Sequence, residues 1–291
     1  MTSVAMNPTL VVLALAGLVV VLLVLERRHP LRVQKHAMLR RLILNAAITA
    51  LAVGTAFALV KPAIASGLQH VAILRVGLLQ WIDLPPALAL VVGVLLLDLT
   101  FYFWHMANHR VPWLWRFHLV HHIDPDLDVS TAFRFHYGEV ALSAAFRMVQ
   151  IVLIGASPLI VATYEIIFQA STLFQHSNVR LPFRLERILI RVLVTPRMHG
   201  IHHSEVPSEN RSNFSVVFNW WDRLHRTLRL NVPQQRIMIG IPAYGPGADT
   251  ALGTVLMLPF GRQRDAWRRP DGTLAKRAER LVDAPLHELA A

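Results

Sequence analysis

Long apolar runs constrain the folding of this chain more than any other feature of its sequence. The first, LVVLALAGLVVVLLVL, belongs to a run from about Pro8 to Leu25, and two similar runs extend from about Leu42 to Val60 and from about Pro85 to Trp104. Each run is near the roughly 20 residues that a helix needs to cross a bilayer. Hydrophobic residues fill 54% of the 291 positions, which is more than a soluble domain of this size needs. The sequence therefore predicts a membrane protein.

A fourth apolar stretch, from about Val140 to Phe174, is interrupted by the residues GASP at Gly155–Pro158. Proline removes a helix donor, so we expect two helices that enter the membrane and return as a broken hairpin. The first run has no charged segment before it and no small-residue cleavage site after it. It is therefore expected to stay as a membrane anchor rather than a signal peptide.

Basic residues predict the orientation of these spans. The loop between the first and second runs contains six of them: Arg27, Arg28, Arg32, Lys35, Arg40 and Arg41. The next loop, 61–83, contains two and is expected to lie along the interface. Because basic loops stay in the cytoplasm, the first loop should be cytoplasmic. The third run and the hairpin then both return the chain to the cytoplasmic side.

The rest of the composition narrows the class of protein further. The chain has no cysteine, which excludes disulfides, thiolate metal sites and cysteine nucleophiles. Its net charge of +11 fits positive-inside topology and anionic lipid headgroups. No nucleic-acid-binding motif is present, so we expect no nucleic-acid partner. After Phe174, the segment LPFRLERILIRVLV predicts an amphipathic helix at the membrane surface, and the charged tail beyond Gly261 predicts a peripheral helix or a loose end.

We divide the chain into three parts on these grounds. Residues 1–104 hold the first three spans, and residues 105–230 form a histidine-rich catalytic region that includes the broken hairpin at about 140–174. Residues 231–291 form a C-terminal cytosolic tail. The expected fold is all-α: a polytopic helical membrane protein with about four to five membrane-associated helices and a cytosolic helical cap that holds a histidine-rich dimetal site.

Most of the 15 histidines follow a pattern. The spelling H-x-x-H-H occurs twice, an H-x-x-x-H precedes the first copy, and one histidine stands alone in FQHSN. Helical positions i, i+3 and i+4 share a face, so each group can aim its imidazoles at one point. At this histidine content one such triple arises by chance in roughly one chain in 25, and two triples far less often. The nine residues are His105, His109, His118, His121, His122, His176, His199, His202 and His203.

Nine imidazoles exceed what one tetrahedral zinc ion requires, since a zinc site takes three or four protein ligands. They suit two metals of higher coordination with positions left open. Imidazole binds iron, zinc, copper and nickel, so the ligand type alone does not choose the metal.

The histidine motifs and their flanks resemble the fatty acid hydroxylase / sterol desaturase superfamily of integral-membrane non-haem di-iron enzymes. The similarity to its bacterial members lies in NHRVPWLWRFHLVHH, STAFRFHYGE, FQHSNVRLP, TPRMHGIHHS and NWWDRLHRT, in order, between about Leu97 and Leu228. The resemblance implies a membrane stalk under a cytosolic cap, in the bacterial inner membrane. It also implies O₂-dependent hydroxylation, or alternatively desaturation, of an unactivated C–H bond in a membrane lipid such as a fatty acyl chain or sterol.

Carried over by position, the resemblance makes those nine histidines ligands of two iron ions, with zinc able to occupy the same site. O₂ would be the co-substrate. No haem, flavin or iron–sulfur motif is present, so electrons would come from an external ferredoxin, cytochrome or reductase. Residues whose carboxylate or ring would hold a ligand in place through a hydrogen bond are expected to be Asp98, His136, Glu139 and Asp222, followed by Asp124, Glu205 and Asn213. His136 matches a histidine of the bacterial pattern, as a ligand or a substrate contact.

The chain also departs from the family pattern. Family members often carry arginine after the first motif histidine and within the third motif, where this chain has Met106 and Gly200. FHPLE is replaced by FHYGE, with Tyr137 and Gly138, and WDRLFGT by WDRLHRT, with His225 and Arg226. None of these differences removes an expected ligand, but they put local packing, substrate fit and activity in question.

Two other functions compete with a lipid oxidase. A membrane metal transporter or storage protein needs ligands and polar residues along a path through the bilayer, but the first two runs carry almost none. The second competing function is that of a zinc-dependent lipid hydrolase, but no H-E-x-x-H motif is present. The aromatic clusters FYFWH and VPWLWRF fit either an interfacial belt or the wall of a lipid tunnel.

Overall fold

The computed structural model describes residues 7–277, and this part of the chain is helical and contains no β-strand, only isolated bridges. The expected all-α class is confirmed. The helices are α1 (Pro8–Arg28), α2 (Met38–Thr55), α3 (Lys61–Leu74), α4 (Leu78–Trp81), α5 (Pro86–Arg110), α6 (Pro112–His122), α7 (Tyr137–Ile154), α8 (Pro158–His176), α9 (Phe183–Leu189), α10 (Pro196–His202), α11 (Pro207–Asn210), α12 (Trp220–Leu224) and α13 (Leu252–Met257).

Four helical segments are long and apolar enough to cross a membrane, which makes this a membrane protein: Pro8–Arg28, Met38–Trp81, Pro86–Arg110 and Tyr137–Ile154. They contain the three expected spans and the first arm of the hairpin, and the second segment extends beyond the expected end at Val60. The second arm, α8, runs back from the turn to His176. Many leucine, valine and phenylalanine side chains of these helices are exposed, as a lipid-facing surface requires.

The chain between the second and third spans is not the interfacial loop that we expected. It continues as helix through a π-helical turn, Ala56–Val60, directly into α3. Proline clashes with the carbonyl four residues earlier in a regular α-helix, and the wide turn directly before Pro62 relieves that conflict. Gly67 then packs α3 closely on α7, because a Cβ there would lie 3.3 Å from Ile151 Cγ2.

The hairpin turns where the sequence predicts it. Gly155 ends α7 in the left-handed conformation, with φ of 72°, and the Ser157 hydroxyl accepts from the Ile160 N–H ahead of Pro158 at the start of α8. Gly77, with φ of 102°, leaves space for this turn: a Cβ on it would lie 2.3 Å from Gly155 N. The turn and the loop after α3 therefore meet at the end of the bundle opposite the histidines.

The cap is built from short helices and loops that a buried ion-pair network joins to α2. Arg41 donates to Asp124 at 2.7 Å and to Asp128 at 2.6 Å. Burial opposes ionisation of Asp124, but the neighbouring Arg41 and Arg134 outweigh that cost and lower its pKa to about 2. The loop after α6 is thereby fixed to the end of the second span.

The expectation for the C-terminal tail was wrong as far as residue 277. Residues 261–277 form turns and extended chain rather than a helix, and they pack onto the cap. Trp267 stacks on Trp115, Arg269 pairs with Glu205, and Arg277 pairs with Glu209 at 2.7 Å. The remaining tail, 278–291, lies outside the described residues. The amphipathic segment after Phe174 is helical only over α9, whose Phe183 and Ile188 are exposed.

The orientation can be tested with single cysteines, because the natural sequence contains none. We predict that Val33→Cys and Asp271→Cys resist a membrane-impermeant maleimide in intact cells and react after permeabilisation, because the basic first loop and the cap are expected to face the cytoplasm. Asp83→Cys, in the opposite loop, should react in intact cells. Labelling of positions 33 and 271 on different sides would contradict this topology.

Candidate metal centre

Nine histidines converge at one end of the helix bundle, and all nine are buried. They form two groups. Within each group, one nitrogen of every histidine lies within 4.8 Å of the matching nitrogens of the others. Site A consists of His105, His109, His118, His122 and His202, and site B of His121, His176, His199 and His203. All nine residues that the motif spacing singled out therefore meet, although up to 98 positions separate them along the chain.

Five of these side chains lie at or near the C-terminal end of a helix. His109 lies in the last turn of α5, His121 and His122 close α6, His176 closes α8, and His202 closes α10. The C-terminal end of a helix carries partial negative charge from its unpaired carbonyls, which favours a cation nearby. Neutral imidazoles do not compensate the charge of bound cations, so two such cations would repel each other. The four helix ends directed at this region would offset part of that repulsion.

The outer ring nitrogen of most of these histidines donates to an oxygen. His105 Nδ1 donates to Phe214 O at 2.7 Å, and His202 Nδ1 to Ser212 O at 2.8 Å. His118 Nδ1 donates to Glu139 Oε1 at 2.8 Å. Such bonds fix the ring orientation and leave a lone pair on the inner nitrogen, as metal-bound histidines require.

The inner nitrogens provide the strongest indication that a metal belongs here. His176 Nδ1 donates to Thr172 O at 2.7 Å and His121 Nδ1 to Arg134 O at 3.3 Å, so neither Nε2 carries a proton in the neutral ring. These two Nε2 atoms nevertheless face each other at 3.1 Å. Two lone pairs at that distance repel unless a cation lies between them. The donor set of site B therefore fits a metal ion.

The protonation state of the cluster agrees with this. Burial and the charge of neighbouring imidazoles hold the pKa values of His121, His122, His199 and His203 well below the usual value. Burial lowers the pKa of His202 to about 3. Neutral imidazole, the form that binds metals, is thus the resting state of these rings.

Two of the residues that we expected to support the ligands do so through hydrogen bonds. Glu139, in the first turn of α7, accepts from His118 and leaves Oε2 without a partner among residues 7–277. Asp222 touches no histidine. It accepts from the Phe214 and Ser215 N–H groups at 2.9 Å each and so fixes the loop whose carbonyls orient His105 and His202.

The other candidates lie elsewhere. Asp98 accepts from Trp221 Nε1 at 2.7 Å and Tyr164 Oη at 3.3 Å, and joins α5 to α8 and the cap rather than reaching a histidine. His136 accepts the Gly138 N–H at its Nδ1 and donates to Leu256 O, so both ring nitrogens are occupied at the start of α7. Asp124, Glu205 and Asn213 bond to Arg41, to Arg269 and to the Met198 and Arg229 backbones.

Sequence reasoning missed Asn210. His109 Nδ1 donates to Asn210 Oδ1 at 3.0 Å, while Asn210 Nδ2 lies 3.3 Å from His122 Nδ1. A single buried amide thus contacts two members of site A. It lies only seven residues after His203, but no histidine spacing marks it, so the sequence alone carried no signal for this role.

A small cavity of about 60 Å³ opens beside both groups. Histidines from both sites line it together with apolar and amide side chains: Phe101, Trp104, Asn108, Phe135, Phe168, Gln175 and Val216. Part of the aromatic band therefore forms a wall of this cavity, whereas Phe103 and Trp113 are exposed as in an interfacial belt. The belt and the lipid-tunnel wall both stay predictions, each for different members of the band.

The departure at Gly200 has a structural counterpart. A Cβ at this position would lie 2.1 Å from Nη1 of Arg32, which reaches over α10 from the first loop and donates to Gln234 Oε1 at 2.6 Å. The guanidinium that family members often carry within the third motif is thus matched by one from a distant segment. The absence of a side chain at Gly200 is what makes space for it.

The structure also describes the surroundings of three other departures. His225 stacks on Tyr102 with ring centroids 5.0 Å apart, outside the histidine cluster. A Cβ on Gly138 would meet the Phe117 ring at 2.6 Å, so a larger residue there would require that ring to move. Nothing in the structure explains Met106, which is half-buried on α5.

The comparisons with known proteins agree with this geometry. The family described as fatty acid hydroxylase matches residues 90–227. The chain is 30% identical over 177 residues to the cholesterol 25-hydroxylase of Homo sapiens, covering 55% of this chain and 63% of that protein.

Two further relatives act on other lipids by name. The ornithine lipid hydroxylase OlsE of Rhizobium tropici is 30% identical over 148 residues, covering 50% of this chain and 42% of that protein. The alkylglycerol monooxygenase of Caenorhabditis elegans is 29% identical over 131 residues, covering 45% and 25%. The chain thus spans less than two thirds of the length of these curated relatives. No solved structure matches it significantly.

The ligand assignment can be tested by metal content. His121→Ala removes a member of site B and His202→Ala a member of site A. We predict that each lowers the metal bound by the purified protein from two ions to about one per chain, because each site loses a ligand that its neighbours cannot replace. His136→Ala is the matched control, a buried histidine outside both groups, and should retain both ions. Two ions in either ligand variant would contradict the assignment.

The exchange at position 200 gives a second test. Gly200→Arg should lower the free energy of unfolding by about 3 kcal/mol, because two guanidinium groups would compete for one buried volume. The double variant Arg32→Ala/Gly200→Arg should recover most of that loss, as followed by thermal unfolding in detergent. A double variant no more stable than Gly200→Arg would show that the two positions do not exchange roles.

Proposed function

We propose that the chain is a member of the fatty acid hydroxylase / sterol desaturase superfamily and a dimetal membrane oxidoreductase that hydroxylates an unactivated C–H bond of a lipid with O₂. The observation that carries this proposal is the pair of facing imidazole nitrogens at 3.1 Å, His121 and His176, within a nine-histidine centre at the end of membrane helices. The lipid hydroxylases among its relatives support it.

We assign iron to both sites. An all-imidazole set binds iron, zinc, copper or nickel, so family membership rather than ligand chemistry selects iron. When bound, two iron ions would use O₂ and external electrons to oxidise a C–H bond that no side chain can attack. The residues that hold them would be the members of site A and site B, with Glu139 and Asn210 orienting His118 and His109.

The protein's own contribution is positioning and exclusion of water. Phe101, Trp104 and Phe168 form an apolar wall beside the centre, which admits a hydrocarbon and disfavours water. The hydrogen-bonded carbonyls of the 212–214 loop hold two histidines rigidly, and Asp222 holds that loop. Because the wall is supplied by membrane helices, a lipid tail can reach the centre from the bilayer.

Electrons would come from an external donor such as a ferredoxin, a cytochrome or their reductase. The chain carries no motif for a redox cofactor of its own, and its net charge of +11 suits an acidic donor protein. We place the centre on the cytoplasmic face of a bacterial inner membrane, where such donors and the basic first loop would both lie. The membrane lipid is the substrate class, and residues 105–230 form the catalytic region.

The arrangement argues against metal transport. A transporter needs ligands and polar groups along a path through the bilayer. All nine histidines of the two groups lie at one end of the helices, where α5, α6, α8 and α10 terminate. This fits a fixed catalytic centre.

Isotope labelling tests the reaction. Membranes that contain the protein should incorporate one atom of ¹⁸O from ¹⁸O₂ into a lipid product when supplied with reductant and lipid extract, as measured by mass spectrometry, and His202→Ala should abolish it. An unlabelled product that has lost two hydrogens would favour desaturation on the same centre. If neither product forms while two irons are bound, the oxidative function is contradicted.

A further inference from the structure

An ion pair lies inside the hairpin, where a bilayer-spanning protein rarely keeps charges. Arg147 of α7 pairs with Glu165 of α8, and the guanidinium carbon lies 5.5 Å from the centroid of Phe101 and 5.6 Å from that of Phe168. Charged residues at this depth are costly and usually face a cavity with a function. Nothing in the metal centre uses this pair.

The pair lines a cavity of about 230 Å³ that is larger than the one at the histidines. The π-helical turn contributes Ala56 and Val60 to its wall. Six residues line both cavities and make them neighbours along one path: Phe101, Trp104, Phe135, Glu139, Phe168 and Thr172. A lipid that occupies both would have its tail at the histidines and another part beside Arg147 and Glu165.

Polar side chains follow this path on two helices. On α7, Glu139, Ser143 and Arg147 recur every four residues on one face, and on α8, Glu165 and Gln169 share a face that leads to Thr172 and His176. At 1.5 Å per residue, the pair lies about 12 Å from Glu139 along α7 and about 16 Å from His176 along α8. A wholly hydrocarbon ligand would leave this ladder of hydrogen-bonding groups unused.

Unpartnered buried atoms point independently to a ligand. Thr172 is 5% exposed and Glu139 6% exposed. Thr172 Oγ1 and Glu139 Oε2 find no hydrogen-bond partner in the part of the chain that the structure describes. Both side chains line both cavities. Because burying a polar atom without a partner is unfavourable, these atoms are expected to meet a bound molecule or the water that accompanies it.

We propose that Arg147 and Glu165 bind an uncharged polar group of the lipid substrate, one that both donates and accepts hydrogen bonds, and thereby set which carbon reaches the histidines. An alcohol is the simplest such group. The inference rests on the proposed function for the carbon that is oxidised, but the binding preference itself does not depend on catalysis.

The opposite charges of Arg147 and Glu165 favour an uncharged group that both donates and accepts hydrogen bonds. Arg147 can donate to a ligand oxygen, and Glu165 can accept from a ligand hydroxyl. The pair has no net charge, so an anionic group that approaches Arg147 is repelled by Glu165, and a cationic group by Arg147. A hydroxyl satisfies both partners without that repulsion, and each hydrogen bond to a charged side chain is stronger than one between neutral groups.

Binding to the intact metal-loaded protein in lipid nanodiscs tests the proposal. The probes are hexadecanol, its methyl ether and hexadecanoate, titrated calorimetrically against protein-containing and empty nanodiscs. Hexadecanol should bind about tenfold more tightly than either of the others, because the ether cannot donate and the carboxylate carries a repelled charge. Equal affinities, or tighter binding of hexadecanoate, would overturn the proposal.

Variants separate recognition from structure. Arg147→Met alone leaves an unpaired, partly buried carboxylate and can misfold, so the informative variant is Arg147→Met/Glu165→Met, in which apolar side chains replace both partners. It should keep two metal ions and lose the tenfold preference for hexadecanol. The exchanged pair Arg147→Glu/Glu165→Arg should regain it. Retention of the preference in the double methionine variant would show that the pair serves only to join α7 and α8.

A matched control is the cap pair Arg264–Asp249, in which only the arginine is exposed and which lies outside this cavity. Arg264→Met/Asp249→Met should leave the preference for hexadecanol unchanged, and its loss there would overturn the assignment. If the ¹⁸O labelling fails while the preference for hexadecanol is intact, the oxidase function is contradicted and the binding site is supported. If the lipid is labelled but hexadecanol is not preferred, the binding site is contradicted and the oxidase function is supported.

Discussion

The structure depends on where the protons of nine buried imidazoles lie. A neutral ring carries one N–H, and in six of the nine rings that proton points outward on Nδ1, for example to carbonyls at Ser212 and Phe214 or to the carboxylate of Glu139. The inner nitrogens of these six rings are then bare, and those of His121 and His176 face each other at 3.1 Å. Such a core is favourable only around cations, so folding and metal binding are expected to be coupled.

This constraint explains the elaborate support around the centre. Asp222 holds the loop that supplies two of the carbonyls, and Asn210 holds His109. Arg41 and its carboxylate partners fix the segment that follows α6 to the second span. Asn210 bonds an imidazole directly and the others fix the segments around the rings, and together they hold side chains from four helices in place, as a metal centre requires.

The hairpin links this centre to the bilayer. Its second arm ends in His176, and its first arm begins at the turn that carries Glu139. The same two helices hold Arg147 and Glu165 further from the histidines, beside the wide turn that follows α2. One structural unit would therefore supply a proposed metal ligand, the support of another and the wall of a cavity between membrane helices. A lipid-modifying enzyme needs such an arrangement if its substrate enters from the bilayer between the helices.

The sequence by itself determined the spans, the turn at Gly155 and the nine histidines, because apolar length, proline and helical spacing are local properties. It also marked Glu139 and Asp222, although not what each would touch. Only the tertiary structure divided the histidines into two groups, removed Asp98 and His136 from the centre, brought Arg32 over Gly200 and added Asn210. These assignments depend on contacts between distant segments, and no periodicity in the sequence records which segments will meet.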